Sequence, residues 1–171
     1  MPVKPPAISG VSAGREALIH FQYPSIACTG VGLGLGKLYD SIPLRIGGVK
    51  LSHLLFVLPT APIALLIYAW LKIAGGRYVI TNRGVQIRGS LSSRLMAEVP
   101  LGNIASILVR EEPGQAFYPA ADLYLLNEKG ESLLVLRGVP WPEVFKQNIL
   151  EARNARIQVE ASLATIAARA K

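Results

Sequence analysis

The sequence predicts a mainly β fold of the α+β class: a small antiparallel barrel or sandwich, capped by a C-terminal helix and preceded by a membrane segment. Three observations carry this expectation. From Arg77 onward, short runs of strand-forming residues alternate with turn residues. After Gly138 and Pro140 the apolar period lengthens to the helical value. Before Arg77 lies Leu51–Leu71, a run of 21 residues without Lys, Arg, Asp or Glu, close to the roughly 20 residues that cross a bilayer's hydrocarbon.

The strand series begins at Arg77. Alternation predicts strands at Tyr78–Thr81, Val85–Arg88, Leu95–Val99, Ile104–Arg110, Leu123–Asn127 and Ser132–Arg137, with a short one at Phe117–Tyr118. Between them lie Asn82-Arg83-Gly84, Gly89-Ser90, Pro100-Leu101-Gly102-Asn103, Pro113-Gly114 and Asn127-Glu128-Lys129-Gly130, all turn chemistry. Trp141-Pro142-Glu143 then opens a helix, with proline and an acid in its first turn. Phe145, Ile149, Ala152 and Val159 form a stripe able to close an open end of the barrel, with Trp141 as a packing anchor. The Ala-rich continuation over 158–171 reads as a helical extension.

The region before the strands divides in two. Residues 1–14 are Pro, Gly, Ser and Ala with few large apolar groups, the composition of a flexible tail. Residues 15–76 read as a membrane-associated region whose best span is 51–71. Pro59 and Pro62 would kink that span, Tyr68 and Trp70 are its interfacial anchors, and Lys72 follows them. Arg15–Tyr23 reads as a short amphipathic lead-in ended by Pro24, and 25–46 as a second or re-entrant segment. Within it, Gly30, Gly32, Gly34 and Gly36 form small-xxx-small pairs suited to close helix packing. Neither a dinucleotide nor a phosphate-loop spacing is met, since Leu35, Val31 and Leu38 stand where glycines and a hydroxyl residue are required.

The net charge is +7, but residues 77–160 hold ten basic and nine acidic groups, so the excess lies outside the strand series. This excludes a basic nucleic-acid-binding domain and suits attraction to anionic lipid. Lys72, Arg77, Arg83 and Arg88 follow the apolar run, against Lys37, Arg45 and Lys50 before it. That bias predicts a cytoplasmic C-terminal domain. The lone Cys28 makes no internal disulfide and no metal site. Both histidines, His20 and His53, precede the strands, so the strand series lacks the usual nucleophile–base pairs and zinc ligands. Glu111-Glu112 would point to opposite faces, and Asp122 reads as a turn-capping group at the head of a strand. No enzyme, cofactor or metal is expected.

The order of apolar run, RYVITNRGV, EVPLGNIASILV, ADLYLL and GVPWPEVFKQNILEARNAR resembles the bacterial pleckstrin-homology-like domains found behind one or two membrane helices. The resemblance spans 77–157 and rests on Tyr78, Thr81, Asn82, Arg83, Pro100, Ile104 and Gly138-Val139-Pro140. It implies a bent, seven-stranded barrel capped by the C-terminal helix, with non-enzymatic roles at membranes. Lipid-binding members of the wider superfamily grip phosphoinositides with a long, Lys/Arg-rich first hairpin loop. Here that loop reads as Asn82-Arg83-Gly84, too short for a phosphate cradle. Lys72, Arg77, Arg83, Arg88 and Arg94 are therefore expected as generic contacts to lipid phosphate. The expected function is a membrane-anchored interaction or assembly module at the bacterial inner membrane, with lipid and protein partners and no nucleic acid or small-molecule substrate. The alternatives are a structural subunit of a larger membrane complex and an anionic-lipid sensor.

Overall fold

The computed structural model describes residues 16–169, so the tail expected over 1–14 lies outside the described residues. Two antiparallel sheets enclose the core, and they form a sandwich rather than a closed barrel. The first sheet holds β1 (Leu18–Gln22), β4 (Gly76–Thr81), β5 (Gly84–Gly89) and β6 (Leu95–Pro100) in that order. The second holds β7 (Ser106–Arg110), β8 (Ala120–Leu126) and β9 (Ser132–Pro140). A separate ribbon, β2 (Arg45–Ile46) with β3 (Val49–Lys50), turns through Gly47 and Gly48, both at positive φ (59° and 86°). That is the backbone a two-residue hairpin loop requires.

Six of the expected strands are present, with shifted ends. Phe117–Tyr118 lies instead in a turn, because Gln115 accepts the Glu112 N–H through its side chain and closes the chain on itself (2.8 Å). The unexpected strand is β1, in the stretch read as an amphipathic lead-in. It pairs with β4, Gln22 opposite Tyr78 and Phe21 opposite Val79. Asn82 extends the seam: the Ala17 N–H donates to its Oδ1 (2.9 Å) and its own N–H donates to the Ala17 carbonyl (3.1 Å). Asn82-Arg83-Gly84 is consequently the second hairpin of the sheet. The first connection is residues 23–75, which carries everything read as membrane-associated except the β1 seam.

Alternation places Tyr78 and Ile80 of β4, Val85 of β5 and Val99 of β6 in the core. There they meet Leu123, Leu125, Leu136 and Val139 from the second sheet. Helix α3 (Pro142–Arg169) covers this core with Phe145, Ile149 and Ala152, all buried, as its spacing predicts. Beyond Ala152 the helix leaves the core: Val159, the last residue of the expected stripe, is half-buried outside the core cluster, and Ile157 and Leu163 are exposed.

Within the first connection, α1 (Gly30–Asp40) is capped by Thr29, whose Oγ1 accepts from the Gly32 N–H (3.0 Å). Its length is about 16 Å by helical rise, too short to cross a bilayer. It lies on the domain with Gly32, Leu35, Gly36 and Tyr39 inward. Helix α2 follows the ribbon as Leu58–Ala74, extended at its N-terminal side by a wider π-type turn over His53–Val57. That turn precedes Pro59 and Pro62, whose missing N–H groups break the regular bonding pattern.

The four glycines of α1 separate into two pairs. A Cβ on Gly36 would stand 1.9 Å from the Gly114 carbonyl oxygen, and one on Gly32 the same distance from that of Ile26. Gly30 and Gly34 face open space. Gly34→Ala should therefore stabilise the purified chain by about 0.5–1 kcal/mol through helix propensity. Gly36→Ala should destabilise it by about 1–3 kcal/mol through overpacking. Denaturant melts of the two variants against the parent measure both, and equal effects would contradict the docking of α1.

Candidate functional site

An apolar groove of about 760 Å³ runs between α2 and the sandwich. Its roof is one face of α2, where Val57, Ala61, Ala64, Leu65, Tyr68 and Lys72 recur at helical spacing. Phe21, Tyr23 and Ile26 on one side, and Phe117, Tyr118 and Trp141 on the other, line the domain wall.

Hydrogen bonds hold that wall together. The Gln115 side-chain N–H donates to Asp122 Oδ1 (2.6 Å), and the same oxygen accepts from the Gly138 N–H (2.8 Å). Asp122 thus locks the turn bearing Phe117 and Tyr118 to the chain that leads into α3. Gln22 Nε2 donates to the Pro140 carbonyl (2.8 Å), and the Ser25 N–H to that of Gly138 (2.8 Å), tying in the end of β1. Gly138 is at φ 58° and its Cα lies against Cys28, where a Cβ would come within 2.6 Å of the Cys28 nitrogen. Trp141 is at φ 48°, a costly backbone for a bulky residue. Its N–H donates to Pro119 (3.0 Å), while its carbonyl accepts the first N–H groups of α3 from Val144 and Phe145. The expected packing anchor is instead 66% exposed at the groove's edge.

Both ends of α2 are tied to the rest of the chain. At the first, Ser52 is buried and its hydroxyl donates to the Tyr39 carbonyl. Tyr39 packs on Phe117 (4.5 Å between centroids), His53 packs on the same ring (5.1 Å), and the Tyr39 hydroxyl bonds Thr60 Oγ1 (2.6 Å). At the other end Leu71 is buried, and the Lys72 ammonium sits 3.8 Å from the Tyr23 ring centroid. There the Ser90 N–H donates to the Gly75 carbonyl (2.9 Å). Between these anchors the outward face of α2 is bare: Leu54, Leu55, Leu58, Ile63 and Leu66 are exposed, and 6% of the most apolar stretch is buried. Among the described residues this is the one helix long and apolar enough to cross a membrane.

Four of the five expected phosphate contacts gather where α2 ends. Arg77 and Arg88 stand opposite each other across β4 and β5, and the Arg94 carbonyl accepts the Gly89 N–H (2.9 Å) beside them. Lys72 is on the adjoining helix turn. Arg83 lies at the far end of the same hairpin, about 20 Å away by strand rise. Arg88 is engaged internally: its Nε donates to Gln86 Oε1 (2.7 Å) and its guanidinium lies 3.7 Å from Glu16. Arg77 donates to Ser93 Oγ (2.7 Å) and forms no ion pair with the described acids. Of the interfacial anchors, Tyr68 lines the groove and Trp70 is exposed on the other side of α2. Gly32 and Gly36 are spent on the domain's own backbone, leaving Gly30 and Gly34 outward.

The bacterial PH domain matches residues 32–153, most of the chain. The chain belongs to the bacterial PH domain family. Searches of the curated proteins and of the solved structures gave no significant match. Domains of this family are generally binding modules for lipids or proteins rather than catalysts. In this bacterial PH domain protein the connection between the first two strands of the sandwich is the one that carries α1, the ribbon and α2.

The groove has no signature in the sequence, because its walls come from five separated segments. Tyr23, Phe117, Tyr118 and Trp141 stand beside prolines or in a turn, which is the only local hint.

Asp122→Ala would leave the buried Gln115 amide and Gly138 N–H without their acceptor. The expected cost is about 2–6 kcal/mol at the one to three per unsatisfied buried group, read from denaturant midpoints.

Burial also raises the tyrosines. It lifts Tyr118 from 10.0 to about 12, with Tyr39 nearby adding to the effect. Tyr78 moves the same way, chiefly by burial. Below pH 10 folded and unfolded chains hold these protons alike. Above it the unfolded chain releases them first, so stability should fall between pH 10 and about 12. Tyr118→Phe should flatten that slope.

Proposed function

We propose that this bacterial PH domain protein is a non-enzymatic binding module seated on the cytoplasmic side of the bacterial inner membrane, with α2 lying in the plane of the bilayer. The observation that carries this reading is α2 itself: bare and apolar on its outer face, yet tied to the domain at both ends. An outer face of that kind is stable only when covered. Crossing the bilayer would put the two ends of α2 about 30 Å apart on opposite sides. One folded domain that holds both ends favours the in-plane arrangement. Surface helices in membranes ordinarily carry a polar face. Here that face is unnecessary, since the inner side of α2 looks onto an apolar groove rather than water.

The end of α2 fits the bilayer surface. Lys72, Arg77 and Arg94 lie there with exposed Trp70, Ile73, Leu91 and Met96. Basic groups attract anionic headgroups while aromatic and aliphatic tips insert beneath them. Arg83, at the far end of the β4–β5 hairpin, and the outer part of α3, with Ile157 and Leu163 exposed, are left for a protein partner. Cover of α2 by another subunit of a membrane complex is the competing reading.

Flotation of the full chain with phosphatidylglycerol vesicles tests this. The parent should rise with the vesicles, added salt should weaken binding only in part, and Leu58→Glu with Leu66→Glu should leave the protein at the bottom. A parent chain that stays at the bottom as a monomer would sink the proposal. Recovery in a fixed stoichiometric complex that masks these leucines would favour the subunit reading.

A further inference from the structure

The groove beneath α2 is large, apolar and open along a helix, and one charged group lines it, Lys72. Its volume of about 760 Å³ lies within the range of ligand sites, which runs to roughly 1,000 Å³. We propose that it holds the acyl chain of an anionic lipid, with the lipid phosphate at Lys72. The choice of a lipid rests on the bilayer seating of α2 proposed above; the groove adds to that seating a specific, saturable site.

Three features select this occupant. The first is the character of the walls. Val57, Ala61, Ala64 and Leu65 face Phe21 and Ile26 across the gap. A peptide laid there would leave its N–H and C=O groups without partners, at a cost an acyl chain does not incur. The two alanines are what leave room beneath the helix, since larger side chains at 61 and 64 would fill it.

The second feature is charge. No acid lines the groove, and the Lys72 ammonium rests against the Tyr23 and Tyr68 rings at 3.8 and 5.3 Å from their centroids. No ion pair engages it among the described residues. The aromatic faces hold the cation at the groove without neutralising it. An anionic headgroup supplies the missing counter-charge, whereas a zwitterionic one brings a cation of its own.

The third is an unused donor. Tyr118 lines the groove, and its buried hydroxyl has no hydrogen-bond partner among the described residues. Buried hydroxyls are ordinarily bonded. A lipid ester oxygen is an acceptor of the right kind.

The sequence contains two tryptophans, and they report on the two sides of α2: Trp141 at the groove and Trp70 on the outer face. The full chain carrying Trp70→Phe would be reconstituted in phosphatidylcholine vesicles containing a small fraction of chain-brominated phosphatidylglycerol. Trp141 fluorescence should be quenched well beyond what the bulk fraction of brominated lipid produces, and should saturate. Brominated phosphatidylcholine at the same fraction should give only bulk quenching. Ala64→Phe should abolish the excess, and Lys72→Gln should reduce the preference for phosphatidylglycerol about fivefold, the factor for one basic contact. Quenching that follows the bulk fraction for both headgroups, or an excess unchanged in Ala64→Phe, would overturn the proposal. If Ala64→Phe does not fold, the headgroup comparison with and without Lys72→Gln decides. The Trp141→Phe chain, reporting through Trp70, reads bilayer seating separately. Trp70 quenched while Trp141 shows no excess overturns the groove alone; Trp141 excess without Trp70 quenching overturns the seating alone.

Discussion

The pairing of β1 with β4 governs the rest of the molecule. Gln22 and Tyr78 are neighbours across an antiparallel ladder, so the chain that leaves the sandwich at residue 22 must return to the same place by residue 76. Closing so long a connection costs only modestly more than closing a short one, because the entropy grows with the logarithm of length. The ladder, the Asn82 seam and the docking of α1 offset that cost. The geometric consequence is larger than the energetic one. A helix of 22 residues is about 33 Å long, near the width of a small domain, and with both ends returned to one body it lies across that body.

That arrangement turns a connection into a site. In a sandwich with a short first hairpin, the wall formed by Phe21, Tyr23, Phe117 and Trp141 would face solvent. Here α2 passes over it and leaves a gap because its inward residues include Ala61 and Ala64. The wall keeps its shape through Asp122, whose single oxygen satisfies both the Gln115 amide and the Gly138 N–H. Gly138 in turn allows the chain to pass against Cys28, and Trp141 is held out at the groove's edge in a backbone conformation that α3 and Pro119 impose. Fold energetics and the candidate site therefore share residues.

Much of the sandwich was legible in the sequence because strands β4 to β9 are bounded by turn residues that act locally. The strand β1 was not. Its partner lies more than fifty residues away, its side chains are mostly half-buried or exposed, and Pro24 follows it. Without β1 the hairpins are numbered one too early, and the short Asn82-Arg83-Gly84 turn reads as the first loop. The true first connection is long, yet it is no Lys/Arg-rich cradle: Lys50 is paired with Asp40 (2.5 Å) and Lys72 rests on Tyr23. Glycine spacing in α1 was visible, but which pair meets backbone depends on Gly114 and Ile26, and nothing local to the helix encodes that. The apolar character of α2 was plain; that both its ends are held by one domain is a tertiary fact.

The central claim is that α2 does not separate its two ends by a membrane. Sided labelling in sealed vesicles tests it most directly, using the full chain with Cys28→Ser and a single new cysteine at Arg45 in the ribbon or at Arg83 in the sandwich. A membrane-impermeant maleimide should reach both positions from the same side. Labelling of Arg45→Cys and Arg83→Cys from opposite sides would contradict the account.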